Sequence, residues 1–343
     1  MTTMKIGVMG AGAVGSFVGA RLTLGGSHVS FVGRARGLAE TQAHGMHLVD
    51  LEGPSVTLAP LRIDYAVDVA SLAPCEVVLC AVKSGSTVEA GRALAGVLAA
   101  GALVVSLQNG VRNADLLRAE MPEQHVLGGI VTFNVVAGEK GTFRRATTGP
   151  LIFESSDDPR LVTLAELLEQ AGFDVKLAKD IRAQQWSKLV VNLSNAIGAL
   201  SGVPTRQVLF ESAYRRILQA VVGEAVAVLR AGKIPVERVG PLPVAAFPRV
   251  LGLPTSLFRV VARAQLRVDP EARSSMWQDL DRRRTTEVEE LNGEIVKLAA
   301  TAGVTAPINQ RLVELVHQAE RDGRGSPNLS AAALWARLSP RTG

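Results

Sequence analysis

The chain has 343 residues, 47% of them hydrophobic, 20% charged and only 4% aromatic, with a net charge of +5 and two cysteines. That length allows two domains with separate cores, and two cysteines inside or beside one apolar run suggest neither a disulfide framework nor a zinc site. The basic residues are scattered apart from short clusters such as "RRR" at 282–284, and aromatics are few, which argues against nucleic-acid binding and suits a small anionic substrate with a phosphorylated cofactor.

From the start, "MTTMKIGVMG" runs directly into a strand, without the charged, apolar and cleavage regions of a signal peptide. No stretch reaches the roughly 18 uncharged apolar residues of a membrane span. Cys75 and Cys80 read as core thiols in a reducing compartment. A soluble, cytoplasmic protein without a membrane or metal partner is expected.

Residues 5–10 read as a strand, 13–26 as a helix with a glycine stop, and 28–33 as a second strand. Between the first two lies "GAGAVG", the G-x-G-x-x-G pattern where a dinucleotide site needs it. Gly10 allows the tight turn, Gly12 lets backbone approach the pyrophosphate, and Gly15 lets helix and strand pack closely. Ala11, Ala13 and Val14 complete the loop and the helix N-terminus that faces the phosphates. After the second strand the chain reads "FVGRARG" (31–37), with no acid before Glu40 to hold a ribose 2′-hydroxyl. Arg34 and Arg36 would instead attract a 2′-phosphate, so NADP(H) is the expected cofactor; two solvated surface arginines are the plainer alternative.

Further strands are predicted at 76–82, 102–107 and 125–133, with helical stretches at 84–100 and 112–120. Such alternation means a parallel sheet covered on both faces. "AVKSG" (81–85) and "SLQNG" (106–110) end two strands at the carboxyl edge, where open α/β sheets bind ligands; this places Lys83 and Asn109 at that rim. Alternation from 138 to 153 suggests hairpin strands closing the same sheet.

Past about residue 180 helical periodicity takes over, at 181–201, 211–232, 274–302 and 307–320. The fold class is thus an α/β N-terminal Rossmann-type domain (1–178) followed by an all-α domain (179–343), with a hinge near 175–180. A proline-rich, irregular stretch at 241–256 interrupts the helices, and the tail at 321–330 reads as loosely held. The long 274–302 helix packs either within the subunit or across a homodimer.

Within "WSKLVVNLSN" (186–195), Lys188, Asn192 and Asn195 fall at about 0°, 40° and 340° on a helical wheel. They form one narrow polar stripe on an otherwise apolar helix. A charged, unpaired lysine there would cost several kcal/mol, so the stripe lines a wet cleft, or the lysine snorkels to the surface. Later, "SSMWQDLDRRRTTEVEELNG" (274–293) offers a capping serine at 274 or 275 and a charged face at Glu287.

Taken in order, "GAGAVG", an arginine after the second strand, "AVK", "QNG", "W-x-K-L-x-x-N", "SSM-x-x-D" and "R-x-T-E-x-x-x-x-N-G" resemble the ketopantoate reductases, also called 2-dehydropantoate 2-reductases. The resemblance spans roughly residues 4–320. It implies NADPH-dependent reduction of a small 2-oxo acid, ketopantoate, to pantoate in pantothenate biosynthesis. Lys188 matches the family's proton donor, Asn109 the cofactor–substrate junction, and Lys83 a position near the cofactor. Asn192 and Ser275 match substrate-binding positions, and Glu287 a glutamate that contacts the cofactor close to the reacting centre.

Two positions depart from the pattern. Ala196 stands where the family often has an asparagine, with Asn195 on nearly the same face. Arg206 stands where a further substrate-binding asparagine falls by ungapped count. Three readings stay open: ketopantoate reductase, a sister reductase of another 2-oxo acid, and an NADP-binding redox sensor without turnover.

Overall fold

The computed structural model describes residues 4–51, 53–239, 242–263 and 272–339. The chain divides into two units, Met1–Ile181 and Arg182–Gly343.

In the first unit, short apolar runs become strands: β1 (Lys5–Met9), β2 (His28–Val32), β3 (Met46–Val49), β4 (Val56–Leu58), β5 (Asp64–Ala66), β6 (Val77–Cys80), β7 (Leu103–Ser106), β8 (His125–Val131), β9 (Val135–Ala137), β10 (Thr142–Arg145), β11 (Leu151–Glu154) and β12 (Val175–Ala178). Eight of them make one sheet in the order β12-β11-β8-β7-β6-β1-β2-β5. All neighbours are parallel except β11 against β8. Successive side chains of a strand point to opposite faces, and the core divides accordingly. Val77 and Leu79 of β6 join one apolar cluster with Phe17, Phe31 and Leu161, while Val78 and Cys80 join another with Leu94, Leu98 and Leu117. Both faces are therefore covered, as the strand–helix alternation required. Burial pushes the Cys75 thiol up to about 11 and the Cys80 thiol up to about 12, so neither is a thiolate at neutral pH.

The hairpin expected at 138–153 closes a different sheet. β9 and β10 pair antiparallel, and β10 runs parallel to β3 in a second, four-stranded sheet ordered β4-β3-β10-β9. Only β11, at the end of that stretch, joins the main sheet. The positive-φ turn at Lys140 and Gly141 reverses the chain, and the Gly141 carbonyl accepts from the His47 N–H at 2.8 Å.

The second unit is helical. Helix Ser212–Ala231 buries Ile217, Leu218, Val221, Val222, Ala225, Val228 and Leu229, the i, i+4, i+7 stripe of a core helix. The expected 181–201 helix is two helices, Ile181–Asn192 and Ser194–Ser201. At the joint the Leu193 N–H reaches back only three residues, to Val190, and the Ser194 hydroxyl donates to the Val191 carbonyl at 3.2 Å. A serine competing for a helix carbonyl breaks the regular ladder.

Likewise 274–302 is not one helix. Ser275–Asp281 ends where Arg283 takes φ 53°, the Arg283 N–H donates to Leu280, and the Arg284 N–H donates to Asp279. That is a Schellman stop with arginine in the place where glycine is usual. The helix resumes at Asn292–Thr301. The stretch 241–256 forms helical turns over Val244–Ala246 and Phe247–Leu251 and the start of helix Thr255–Arg263, Pro241 lying outside the described residues. The tail is tied down: the Leu329 N–H donates to Leu200, Tyr214 Oη donates to the Leu329 carbonyl, and helix Ala331–Leu338 buries Leu334.

Candidate active site

In the first unit the strand order reverses between β1 and β6, the place where such sheets take ligands beyond the strands' carboxyl ends. The turn after β1 is built from its glycines. Gly10 has φ 100°, and a Cβ there would stand 2.6 Å from the Val82 amide nitrogen. The β1 turn thus packs directly on the exit of β6. A Cβ at Gly15 would run into the Gly10 carbonyl oxygen, so helix Ala13–Leu24 can approach β1 only without a side chain there. Gly12 differs: a Cβ would meet nothing within 4 Å.

The first helical bond runs from the Ser16 N–H to the Gly12 carbonyl. The amides of Ala13, Val14 and Gly15 are thereby left without intrahelical acceptors, as at any helix N-terminus. Open space at Gly12 beside such amides fits a dinucleotide pyrophosphate. Gly12→Ala is expected to melt within about 1 kcal/mol of wild type while weakening NADPH binding. Gly10→Ala, strained in both backbone and space, is expected to cost about 1–3 kcal/mol of stability. Thermal melting and nucleotide titration of the two variants check this.

At the end of β2, Arg34 occupies the N-cap position of helix Ala35–His44 without a side-chain capping bond, and both Arg34 and Arg36 are exposed. Neither makes an ion pair among the described residues. Glu40, the first acid after β2, is engaged elsewhere: its Oε1 accepts from the Gly141 N–H at 3.1 Å. Tyr65 donates to the Arg34 carbonyl at 3.4 Å and occupies the space that the absent side chains of Gly33 and Gly37 leave. Sequence reading missed Tyr65; the signal was two glycines flanking the arginines.

Lys83 and Asn109 follow the neighbouring strands β6 and β7, and the residues around them form a buried relay that the sequence reading also missed. Ser106 donates to Gln108 Oε1 at 3.0 Å, Gln108 Nε2 to Thr87 Oγ1 at 2.6 Å, and Thr87 Oγ1 to Asn113 Oδ1 at 2.8 Å. Asn113 Nδ2 then donates to Ser84 Oγ at 3.1 Å, and Ser84 Oγ to the Asn109 carbonyl at 3.3 Å. Each donor has an acceptor, so the network is satisfied although buried, and it fixes the Asn109 backbone. Ser84 follows Lys83 directly, so both rim residues are set by one network.

In the second unit, Lys188 and Asn192 remain one turn apart on helix Ile181–Asn192 and are partly buried. Burial lowers the Lys188 pKa to about 8, the negative charge of Glu287 partly opposing the shift. Glu287 lies in the non-helical stretch between Ser275–Asp281 and Asn292–Thr301, not on a long helix. The break at Leu193 takes Asn195 off the Lys188 wheel and into the next helix. Its carbonyl accepts from Ser274 Oγ at 3.1 Å, and Ser274 also caps its own helix by accepting from the Trp277 N–H. With Ser274 as the cap, Ser275 is exposed at the first helical position. The contact ties the Asn195 backbone to the Ser274 cap, the residue before Ser275. Ala196 is fully buried, and Arg206 is exposed, its guanidinium 5.9 Å from the Phe210 ring centre.

The chain matches known proteins over most of its length. Residues 6–158 match the family model described as Ketopantoate reductase PanE/ApbA, and residues 180–320 match that of its C-terminal part. A 2-dehydropantoate 2-reductase of Halobacterium salinarum is 30% identical over 93% of this chain and all of its own length. The chain belongs to the ketopantoate reductase family. A ketopantoate reductase structure from Ralstonia eutropha superposes with a TM-score of 0.80 at 29% identity, covering 94% of this chain and 100% of that one. The fold extends further: D-mandelate dehydrogenase with NADH and anilino(oxo)acetate gives a TM-score of 0.74 at 21% identity, over 93% and 99% of the two chains. In the ketopantoate reductase frame, Lys188 and Glu287 fall in the C-terminal model and the glycine turn in the N-terminal one. No helix among the described residues is long and apolar enough to cross a membrane.

Proposed function

We propose that this chain reduces ketopantoate to pantoate at the expense of NADPH, in pantothenate biosynthesis, with Lys188 as proton donor. The observation that carries the reading is Lys188 itself, a lysine in an apolar helix whose pKa burial lowers to about 8. NADPH, when bound, supplies the hydride for the keto carbon. Gly10, Ala11, Gly12, Ala13, Val14 and Gly15 would hold its pyrophosphate, and Arg34 its 2′-phosphate, with Lys83, Asn109 and Glu287 near the reacting end. Lys188 stabilises the charge developing on the keto oxygen and gives it a proton, leaving a hydroxyl on the substrate and a neutral amine on the enzyme. Its cationic form also attracts the substrate carboxylate. Asn192, Asn195 and Ser275 offer polar contacts to the carboxylate and the 4-hydroxyl.

The pH dependence follows from the lowered pKa. A donor must be protonated, so kcat/KM for reduction should be level below about pH 8 and fall roughly tenfold per unit above it. For pantoate oxidation the neutral amine is the required base, so that rate should rise through the same region. Initial rates in both directions check the opposed limbs.

A sister reductase is the second reading, favoured by Ala196 and Arg206 at places where the family carries asparagines. NADPH oxidation with ketopantoate beside a panel of 2-oxo acids separates the two. Preference for 2-oxoisovalerate, which lacks the 4-hydroxyl, would select the sister reductase. NADPH binding with no turnover on any 2-oxo acid would select a redox sensor. A cytoplasmic setting belongs to the same proposal and is supported by the free, buried Cys75 and Cys80. A homodimer is proposed with it, and light scattering gives the mass that decides it.

A further inference from the structure

Residues 286–289 lie outside regular structure, yet both ends are tied to helix Pro307–Asp322. At one end the Thr286 N–H donates to Glu320 Oε1 at 2.7 Å. At the other, Glu289 Oε1 lies 2.9 Å from His317 Nε2. Glu287 sits between these two anchors.

The other ring nitrogen, His317 Nδ1, is 2.8 Å from Glu320 Oε2. A carboxylate oxygen can only accept, so the ring satisfies both partners only when both nitrogens donate, as imidazolium. Glu289 Oε2 is 3.6 Å from Lys297 Nζ, which also pairs with Glu294 at 3.1 Å. A Cβ at Gly293 would stand 2.5 Å from Glu289 Oε2, so the glycine of "NG" at 292–293 leaves room for this carboxylate.

The other helices packed on Pro307–Asp322 place their charges differently. Ser194–Ser201 carries none. On Ser212–Ala231, Glu224 accepts from the amides of Ile308 and Asn309 at the far end of the helix. Arg215 donates to the carbonyls of Leu209, Phe210, Leu251 and Leu253. Arg216, Arg230 and, on Ala331–Leu338, Arg337 are exposed.

We propose that His317, as a doubly donating cation between Glu289 and Glu320, is a positioning residue that holds Glu287 in place. The inference rests on the reading above, in which Lys188 and Glu287 act in the reaction. Burial alone would lower the His317 pKa; hydrogen bonds to Glu289 and Glu320 outweigh it and leave the pKa raised. A raised folded-state pKa means the clamp stabilises the fold fully below the ordinary histidine value and is lost as pH rises through the higher one. Glu287 raises the Lys188 pKa, so a displaced Glu287 lets that pKa fall further.

Two measurements on His317→Gln test this, since glutamine cannot bridge both carboxylates as a cation. In the first, wild type and variant are melted from about pH 6 to about pH 9. The wild type should melt higher at the acid end, and the gap should close as the histidine loses its proton. A gap that is absent, or constant with pH, overturns the clamp. In the second, read below the pH at which the melting gap closes, the alkaline limb of kcat/KM for NADPH-dependent reduction should begin at lower pH in the variant. His317→Lys, which keeps a cation between the carboxylates, should restore the limb. A limb unmoved by His317→Gln, or moved equally by His317→Lys, overturns the link to Lys188. If the wild type reduces no 2-oxo acid, the functional reading fails, and the melting series still decides the clamp.

Discussion

Lys188→Met is expected to lower turnover about 10²–10⁴-fold, the usual worth of a general acid, while NADPH affinity stays within about twofold. The separation follows from the proposed roles: the proton would be given in the transition state, whereas the dinucleotide would be held by the glycine turn and Arg34. Methionine keeps the apolar stem and removes the charge. The same substitution should stabilise the protein. A lysine whose pKa falls from 10.5 to about 8 disfavours its charged form in the fold, by on the order of 3 kcal/mol when both states are fully protonated. That cost is fully present below about pH 8 and is relieved as pH rises toward the unfolded value. The variant should therefore melt above wild type at neutral pH, with the gap narrowing in alkali. A purely structural lysine would give the opposite sign in melting. Turnover above about a tenth of wild type would remove Lys188 from the chemistry.

Arg34→Ala is expected to raise the NADPH dissociation constant about tenfold to a hundredfold, the equivalent of a charge-assisted contact of roughly 1.5–3 kcal/mol, with NADH binding little changed. Arg34 stands exposed at the start of helix Ala35–His44, and Glu40 is held by Gly141, so a 2′-phosphate would meet a cation and no competing carboxylate. Equal use of both nucleotides by wild type would contradict this. Equal losses for both nucleotides in the variant would transfer the role to another residue.

The sheet was legible because its strands are apolar runs between glycine stops, and parallel strands need burial on both faces. The glycine turn was legible because Gly10 and Gly15 each have a separate steric reason, visible in the pattern itself. The helix breaks were hidden. A Schellman stop usually shows a glycine, and here Arg283 takes the left-handed conformation. At Leu193 the break depends on which carbonyl the Ser194 hydroxyl chooses, a matter of side-chain geometry rather than composition. Partners far apart in sequence were invisible too: the relay from Ser106 to Asn109 and the hold of Glu289 and Glu320 on His317 exist only after folding. The tail looked loose because it is polar, yet Leu329 and Leu334 fasten it. On the polar stripe, the Lys188–Asn192 pair keeps its helical spacing, while Asn195 lies in the next helix with its carbonyl bonded to Ser274.

The most direct test of the central claim is the stoichiometry of wild-type enzyme given NADPH and ketopantoate at neutral pH, with oxidised nucleotide and pantoate both quantified. The expected result is one pantoate formed for each NADPH consumed. NADPH left unconsumed, or consumed without pantoate, would contradict it.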